Sequence, residues 1–299
     1  IKLLITIKYN HLLKSKIRCS INMIIKNISN LEDSLKYYND ILDCNKEVIL
    51  LDFREAEYIR NNHLALLGLA LENQKKDGKE IEIKEPKIIK NRKSFELSGF
   101  MQHFSNLDNN NNIYEISSIV KYTNISLDDW NSLVEFHKYF EDQLNKNIKN
   151  LSPELSNKII QKIFELFSNV FRHSQSELGF FCAGQIYDNK FYFTIVDGGV
   201  GISTNVNKYF KKIFDDNKSI FKPFNPYKPL NGIKSILWAI QENHSTTGRG
   251  GLGLNLLQEL ILKSKGSLDI ISNSGHYSIK DGKEEKVELK KAFNGTIIS

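Results

Sequence analysis

The nine residues Glu165-Leu-Phe-Ser-Asn-Val-Phe-Arg-His173 constrain this chain more than any other stretch. With Ile163 and Phe164, the apolar residues Leu166, Phe167, Val170 and Phe171 recur at helical spacing, so the segment is predicted to be a helix with one buried face. Glu165, Asn169 and His173 stand four residues apart and form one polar row on that helix. Such a row is ordinarily a solvated face. Two glycine-rich stretches downstream change its meaning: Asp197-Gly-Gly-Val-Gly-Ile202 and Gly248-Arg-Gly-Gly-Leu-Gly-Leu254.

Each stretch offers something that ATP requires. Two aromatic-rich runs, Gly179–Tyr187 and Phe191–Val196, are joined by Asp188-Asn189 and read as a β-hairpin, which delivers Asp197 at a strand end. A carboxylate there accepts a hydrogen bond from the exocyclic amine of adenine and repels the carbonyl of guanine. Gly199 and Gly201 permit close backbone approach and positive φ, with Ile202 beside them. The Asn169 amide oxygen is a hard ligand suited to Mg²⁺, and Glu165, one turn away, can orient or deprotonate a nucleophile. Thr247, Gly248, Gly250, Gly251, Leu252 and Gly253 open a further helix, whose backbone N–H groups suit phosphate. His173 is open to two readings, a phosphate contact or a packed histidine. No Gly-Lys-Ser/Thr is present, which excludes a P-loop. The glycines also match Gly-x-Gly-x-x-Gly, but a dinucleotide site needs a preceding strand, and Ile233–Asn243 reads as helix.

In this order and spacing the three segments resemble the GHKL superfamily of ATPases, which includes gyrase and the histidine kinases. Glu165–His173 is similar to its N box, Asp197–Ile202 to its first glycine box, Gly248–Leu254 to its second, and Phe293–Ile298 to its closing strand. The resemblance covers about residues 150–299. It implies an α+β fold with a mixed sheet and helices on one face, Asp197 on adenine, Asn169 on Mg²⁺ and Glu165 as the base. Glu at position 165 looks more like the hydrolases and the anti-sigma serine kinases than like sensor histidine kinases.

The first half reads as a small α/β unit. Val48–Leu51 suits a buried strand, Asn61–Lys76 a helix ended by Asp77-Gly78, and Glu80–Lys84 an alternating strand, giving a strand–helix–strand unit with a parallel sheet. Ser29 or Asn30 caps a helix before it, and Ser94–Phe104 is expected to be another helix. Ile49–Phe53, Ile59–Leu67 and Lys76–Lys79 resemble the STAS domain of anti-anti-sigma factors. That family's phosphoacceptor serine is replaced by Asn62 in Arg60-Asn-Asn-His-Leu64, and an amide cannot accept a phosphoryl group. The resemblance therefore implies a scaffold or interaction module rather than the chain's own phosphate acceptor. Asp108–Asn112 suggests a boundary, with a STAS-like unit over 1–115 and an ATP-binding unit over 116–299. The second unit is expected to begin with a helix over Leu127–Leu144, capped from Ser126 to Asp129, and another from Pro153. Pro223, Pro226 and Pro229 interrupt the run between the glycine stretches, so about Ser203–Thr247 is expected to be a lid. Gly266–Ser272 and Gly295–Ile298 are predicted strands.

Composition excludes some alternatives. The chain has 299 residues, is 40% hydrophobic and 25% charged, and contains no apolar run long enough to span a bilayer. It begins at Ile1 rather than Met, so its start is expected upstream, and Ile1–Ile7 is too short for a signal peptide. Three separated cysteines fit neither a disulfide framework nor a zinc site and point to the cytoplasm. The net charge of +6 is scattered; Lys84–Lys93 reads as a solvated basic loop rather than a nucleic-acid contact. The expectation is a cytoplasmic Mg-ATP-binding protein acting with a protein partner and not with a membrane. It is an ATPase or serine/threonine kinase in a partner-switching system, or alternatively an ATP-gated switch with little turnover.

Overall fold

Parallel strands need a crossover, and the first half supplies two. In the computed structural model, which describes residues 20–105, 118–148, 152–216, 227–241, 244 and 253–299, β1 (Ser20–Ile24), β3 (Val48–Asp52) and β5 (Glu80–Lys84) form a parallel sheet in the order β1–β3–β5. The crossovers are α1 (Leu31–Leu42) and α2 (Leu64–Lys76). A short parallel pair, β2 (Asn27–Ile28) with β4 (Tyr58–Ile59), flanks the sheet. Asn30 caps α1 by accepting from the Asp33 N–H at 2.8 Å. Asn61–His63 forms a 3₁₀ turn into α2, and α2 is so apolar that it is buried nearly all round.

The expected helix over Ser94–Phe104 is corrected. It starts earlier, as α3 (Ile89–Ser98), and breaks at Gly99, whose φ of +71° ends it. A one-turn helix, α4 (Phe100–Phe104), follows; the Ser98 hydroxyl accepts from the Phe100 N–H.

The second half is organised on a five-stranded sheet in the order β6–β7–β8–β10–β9. Its strands are β6 (Ile119–Ile125), β7 (Phe180–Tyr187), β8 (Lys190–Asp197), β9 (Leu268–Lys280) and β10 (Lys283–Ile298). Every pairing in it is antiparallel, so the expected mixed sheet is overturned; parallel pairing occurs in the first half. Asp188 and Asn189, at φ 51° and 54°, form the expected hairpin turn between β7 and β8.

The second half's own helices cover one face. They include α5 (Trp130–Asn147), α6 (Pro153–His173), α8 (Gly232–Ala239) and α9 (Gly253–Ser264). Phe136, Phe140, Phe167, Phe180 and Tyr277 are buried among them. The start of α5 differs from expectation. Asp129 caps it, accepting from the Ser132 N–H at 3.0 Å, while Ser126 donates to Asp128 in the turn before. Ser152 and Pro153 start α6 as predicted. The stretch expected to be a lid holds α7 (Gly201–Asp216) and α8; α7 is joined to the sheet by hydrogen bonds from the Ile202 N–H to Ser272 and the Ser203 N–H to Asn273.

The opposite face of the sheet is covered by α2 and the Asn61–His63 turn. Alternation along β7 sends Phe180 and Cys182 to one face, and Phe181 and Ala183 to the other. Phe181, Ala183, Val196, Ile271 and Ile297 share one continuous core with Leu51, Phe53, Leu66 and Leu69 of the first half. The helices-on-one-face expectation therefore holds for the second half's own helices, and the first half closes the other face. Among the described residues, no helix is long and apolar enough to cross a membrane.

Candidate functional site

The site grows from the junction of α6 with the end of β8. Asp197 ends β8, buried and in register with Phe180 of β7, and its carboxylate is held from two sides. Its Oδ1 accepts from the Ser174 hydroxyl at 2.7 Å and from the Gly199 N–H at 2.8 Å. Ser174 is the residue that caps the C-terminus of α6, so α6 and the Asp197 turn are one unit. The Ser174 carbonyl accepts from the Val200 N–H at 2.8 Å. Asp197 is 2% exposed, and burial raises its carboxyl to about 6 despite both hydrogen bonds. Among the described residues no group engages Oδ2, which leaves one acceptor oxygen free at the strand end.

The first glycine stretch has a structural reason at each glycine. A β-carbon on Gly199 would stand 1.9 Å from the Ser174 carbonyl, and one on Gly201, at φ +75°, 2.5 Å from Asn273 Oδ1. Both glycines thus serve close approach between protein segments. Ile202 lies in the first turn of α7 and joins the core of the helical face. Gly295, whose φ is +118°, lets β10 cross the Asp197 carbonyl, and Thr296 pairs with Asp197 in register. The first half reaches this turn too: a β-carbon on Gly198 would lie 3.2 Å from Leu69 of α2.

The polar row on α6 lies as expected along one side of the helix. Glu165 and Asn169 are both half-buried. The Glu165 carboxylate lies 3.8 Å from Lys162, and among the described residues the Asn169 amide has no partner. His173 is also half-buried. Burial, and then the Arg172 cation, hold its imidazole below the usual histidine value, while its carbonyl accepts from Asn205 at 3.0 Å. Gly253 opens α9, which packs beside α6. Thr247, Gly248, Gly250, Gly251 and Leu252 lie outside the described residues.

The donor set fits Mg-ATP in a limited way. A free carboxylate oxygen, an unpartnered amide on the adjoining helix and a helix opening beside it suit an amine, a hard cation and phosphate respectively. No cluster of three His, Cys, Asp or Glu residues able to hold a metal occurs among the described residues. A cation at Asn169 would consequently be held together with phosphate oxygens.

Sequence reasoning missed Ser174, whose hydroxyl and carbonyl both hold the Asp197 turn; only its place directly after the helical row hinted at it. It also missed β6 and the long β9–β10 arm. Asp281-Gly282, at φ 51° and 73°, is a hairpin turn whose Asp-Gly signal stood in the sequence. The arm matters because Glu288 on it accepts from the N–H groups of Gly232 and Ile233 at 3.1 and 3.0 Å, capping α8. No protein-family model matches the chain, and comparison with curated proteins and with solved structures found no match.

Proposed function

We propose that the chain binds Mg-ATP between α6, the Asp197 turn and the start of α9, as a GHKL-type ATPase or serine/threonine protein kinase in a partner-switching system. One observation carries the proposal: Asp197 is buried at a strand end with Oδ1 held and Oδ2 free. A carboxylate so placed is costly to bury unless it has a donor to meet, and the exocyclic amine of adenine is such a donor. In this reading Asn169 holds Mg²⁺, which neutralises phosphate charge, and Glu165 aims the nucleophile. The Glu165 carboxylate is half-buried on α6, with Lys162 at 3.8 Å one turn back on the same helix.

The phosphoryl acceptor, if there is one, lies on another protein. Asn62 is an amide and 3% exposed, and it donates to Thr194 at 2.9 Å against the sheet. The covered back face of the sheet favours a second reading, an ATP-gated interaction switch. In that case nucleotide would act on the first half through the Leu69–Gly198 contact. Calorimetry with ATP and GTP tests binding, with ATP expected to be preferred; equal affinity rules out the adenine role of Asp197. Incubation with labelled ATP and cell extract then separates the classes. Free phosphate or a labelled protein supports the enzyme, and neither supports the switch.

A further inference from the structure

At the far end of β8 from Asp197, three pieces of chain meet on the surface: the segment 56–60 around β4, the turn into α3, and the tip of the β7–β8 hairpin. Asn91 of α3 donates to the carbonyls of Ala56 and Glu57, both at 2.9 Å. The Lys90 ammonium lies 5.7 Å from the Tyr187 ring centre at the hairpin tip. The Arg60 guanidinium lies 4.5 Å from the Tyr192 ring and 5.9 Å from Tyr58. These contacts make one continuous patch across both halves of the chain.

The patch carries six cations, Arg60, Lys87, Lys90, Arg92, Lys93 and Lys190, and among the described residues none of them pairs with a carboxylate. Lysines elsewhere, such as Lys75, Lys158, Lys211 and Lys263, do pair. Among the described residues, Glu55, Glu57, Glu85 and Asp188 form no ion pair with these cations. Between the cations stand exposed apolar groups: Ile89 at 71%, Tyr187 at 59%, Ile88 at 44% and Tyr58 at 40%. An adjacent isoleucine pair this exposed on a folded surface needs a reason.

We propose that this patch docks on the surface of an anionic lipid bilayer. The occupant must meet three residue classes at once. Lipid phosphates meet the unpaired cations, the headgroup layer accepts the tyrosines, and the acyl boundary accepts Ile88 and Ile89. A nucleic acid would satisfy the cations and leave the isoleucines in water. Ile88, Ile89 and Tyr187 sit on two exposed turns, Pro86–Ile89 and Tyr187–Lys190, and Tyr58 on β4, which suits a surface that yields rather than a groove-filling partner. The absence of a spanning helix does not bear on binding of this kind. The patch lies roughly 23 Å from Asp197 by strand rise, so this inference stands apart from the nucleotide reading.

The test is co-flotation of the full chain with vesicles of phosphatidylcholine alone, or with about one-third phosphatidylserine. Binding is expected to the anionic vesicles only, and to weaken as salt is raised. Ile88→Asp/Ile89→Asp should lower it at least about tenfold, the worth of one buried isoleucine. Lys90→Glu/Lys93→Glu should lower it comparably. All four positions are exposed, so an unchanged unfolding midpoint certifies that the variants fold. No vesicle binding, equal binding to neutral vesicles, or binding that survives Ile88→Asp/Ile89→Asp overturns the proposal. Cation-dependent capture of a single-stranded oligothymidylate without vesicle binding also overturns it, in favour of nucleic acid.

Discussion

The Tyr122 ring fills the space that a side chain at Gly68 would occupy: a β-carbon built there would lie 2.2 Å from the Tyr122 hydroxyl. Tyr122 stands on β6 of the antiparallel sheet and Gly68 on α2 of the first half, so this contact registers one half on the other. Phe100, Phe104, His103 and Phe181 surround the ring.

Gly68→Ala should destabilise the protein by about 1–3 kcal/mol, because a packed aromatic ring must move to admit the methyl group. Intrinsic helix propensity alone would make the same change favourable by about 1 kcal/mol, so the sign discriminates. Among the described residues the buried Tyr122 hydroxyl has no partner, so Tyr122→Phe should be neutral or stabilising. Urea unfolding of both variants checks this pair of opposite outcomes.

Asp197→Asn should weaken ATP binding by about 1–3 kcal/mol, since a charge-assisted hydrogen bond becomes an ordinary one. Affinity for ATP should also fall as pH drops through about 6, where the buried carboxyl gains its proton. Calorimetry across that range should find the pH dependence in the wild type and its loss in the variant.

Glu165→Ala should keep ATP affinity and lose turnover or transfer by about 10²–10⁴-fold, the usual worth of a positioned base. Asn169→Ala should lose the Mg²⁺-dependent part of binding as well. Phosphate release and titration with and without Mg²⁺ separate the two roles. If Glu165→Ala is as fast as the wild type, His173 is the next residue to test.

His63 is 3% exposed, and burial followed by the Arg60 cation brings its imidazole down to about 4; Asp269 and Asp33 oppose the shift. The folded value lies below the unfolded 6.5, so the unfolded chain binds the proton more tightly between them. The stability tied to neutral His63 is complete above 6.5 and is lost as pH falls towards 4, on the order of 3 kcal/mol in all. Asp197 acts with opposite sign: its raised value means that its burial costs least in acid and most above about 6. Comparing urea unfolding of the wild type with His63→Gln cancels the Asp197 contribution. The wild type's stability relative to the variant should decline across that window; a constant difference would refute the assignment.

Local pattern determined a good deal of this protein without tertiary help. The period of Leu166, Phe167 and Val170 is a helix in any context where one face is buried, and Ser152-Pro153 starts that helix by satisfying its first N–H groups. Asp188-Asn189 sets the β7–β8 hairpin because both residues tolerate positive φ. The parallel unit followed from Val48–Leu51, the α2 pattern and Glu80–Lys84. Other features depended on partners distant in sequence. An all-antiparallel sheet, rather than a mixed one, follows from which strands meet edge to edge, and no single strand encodes its neighbour. The break at Gly99 and the early start of α3 are backbone choices that a permissive helical pattern did not demand. Ser174 acquires its meaning from Asp197, 23 residues later, once the end of α6 meets the end of β8, and Gly68 from Tyr122, through a contact that forms only when the two halves of the chain close on one sheet.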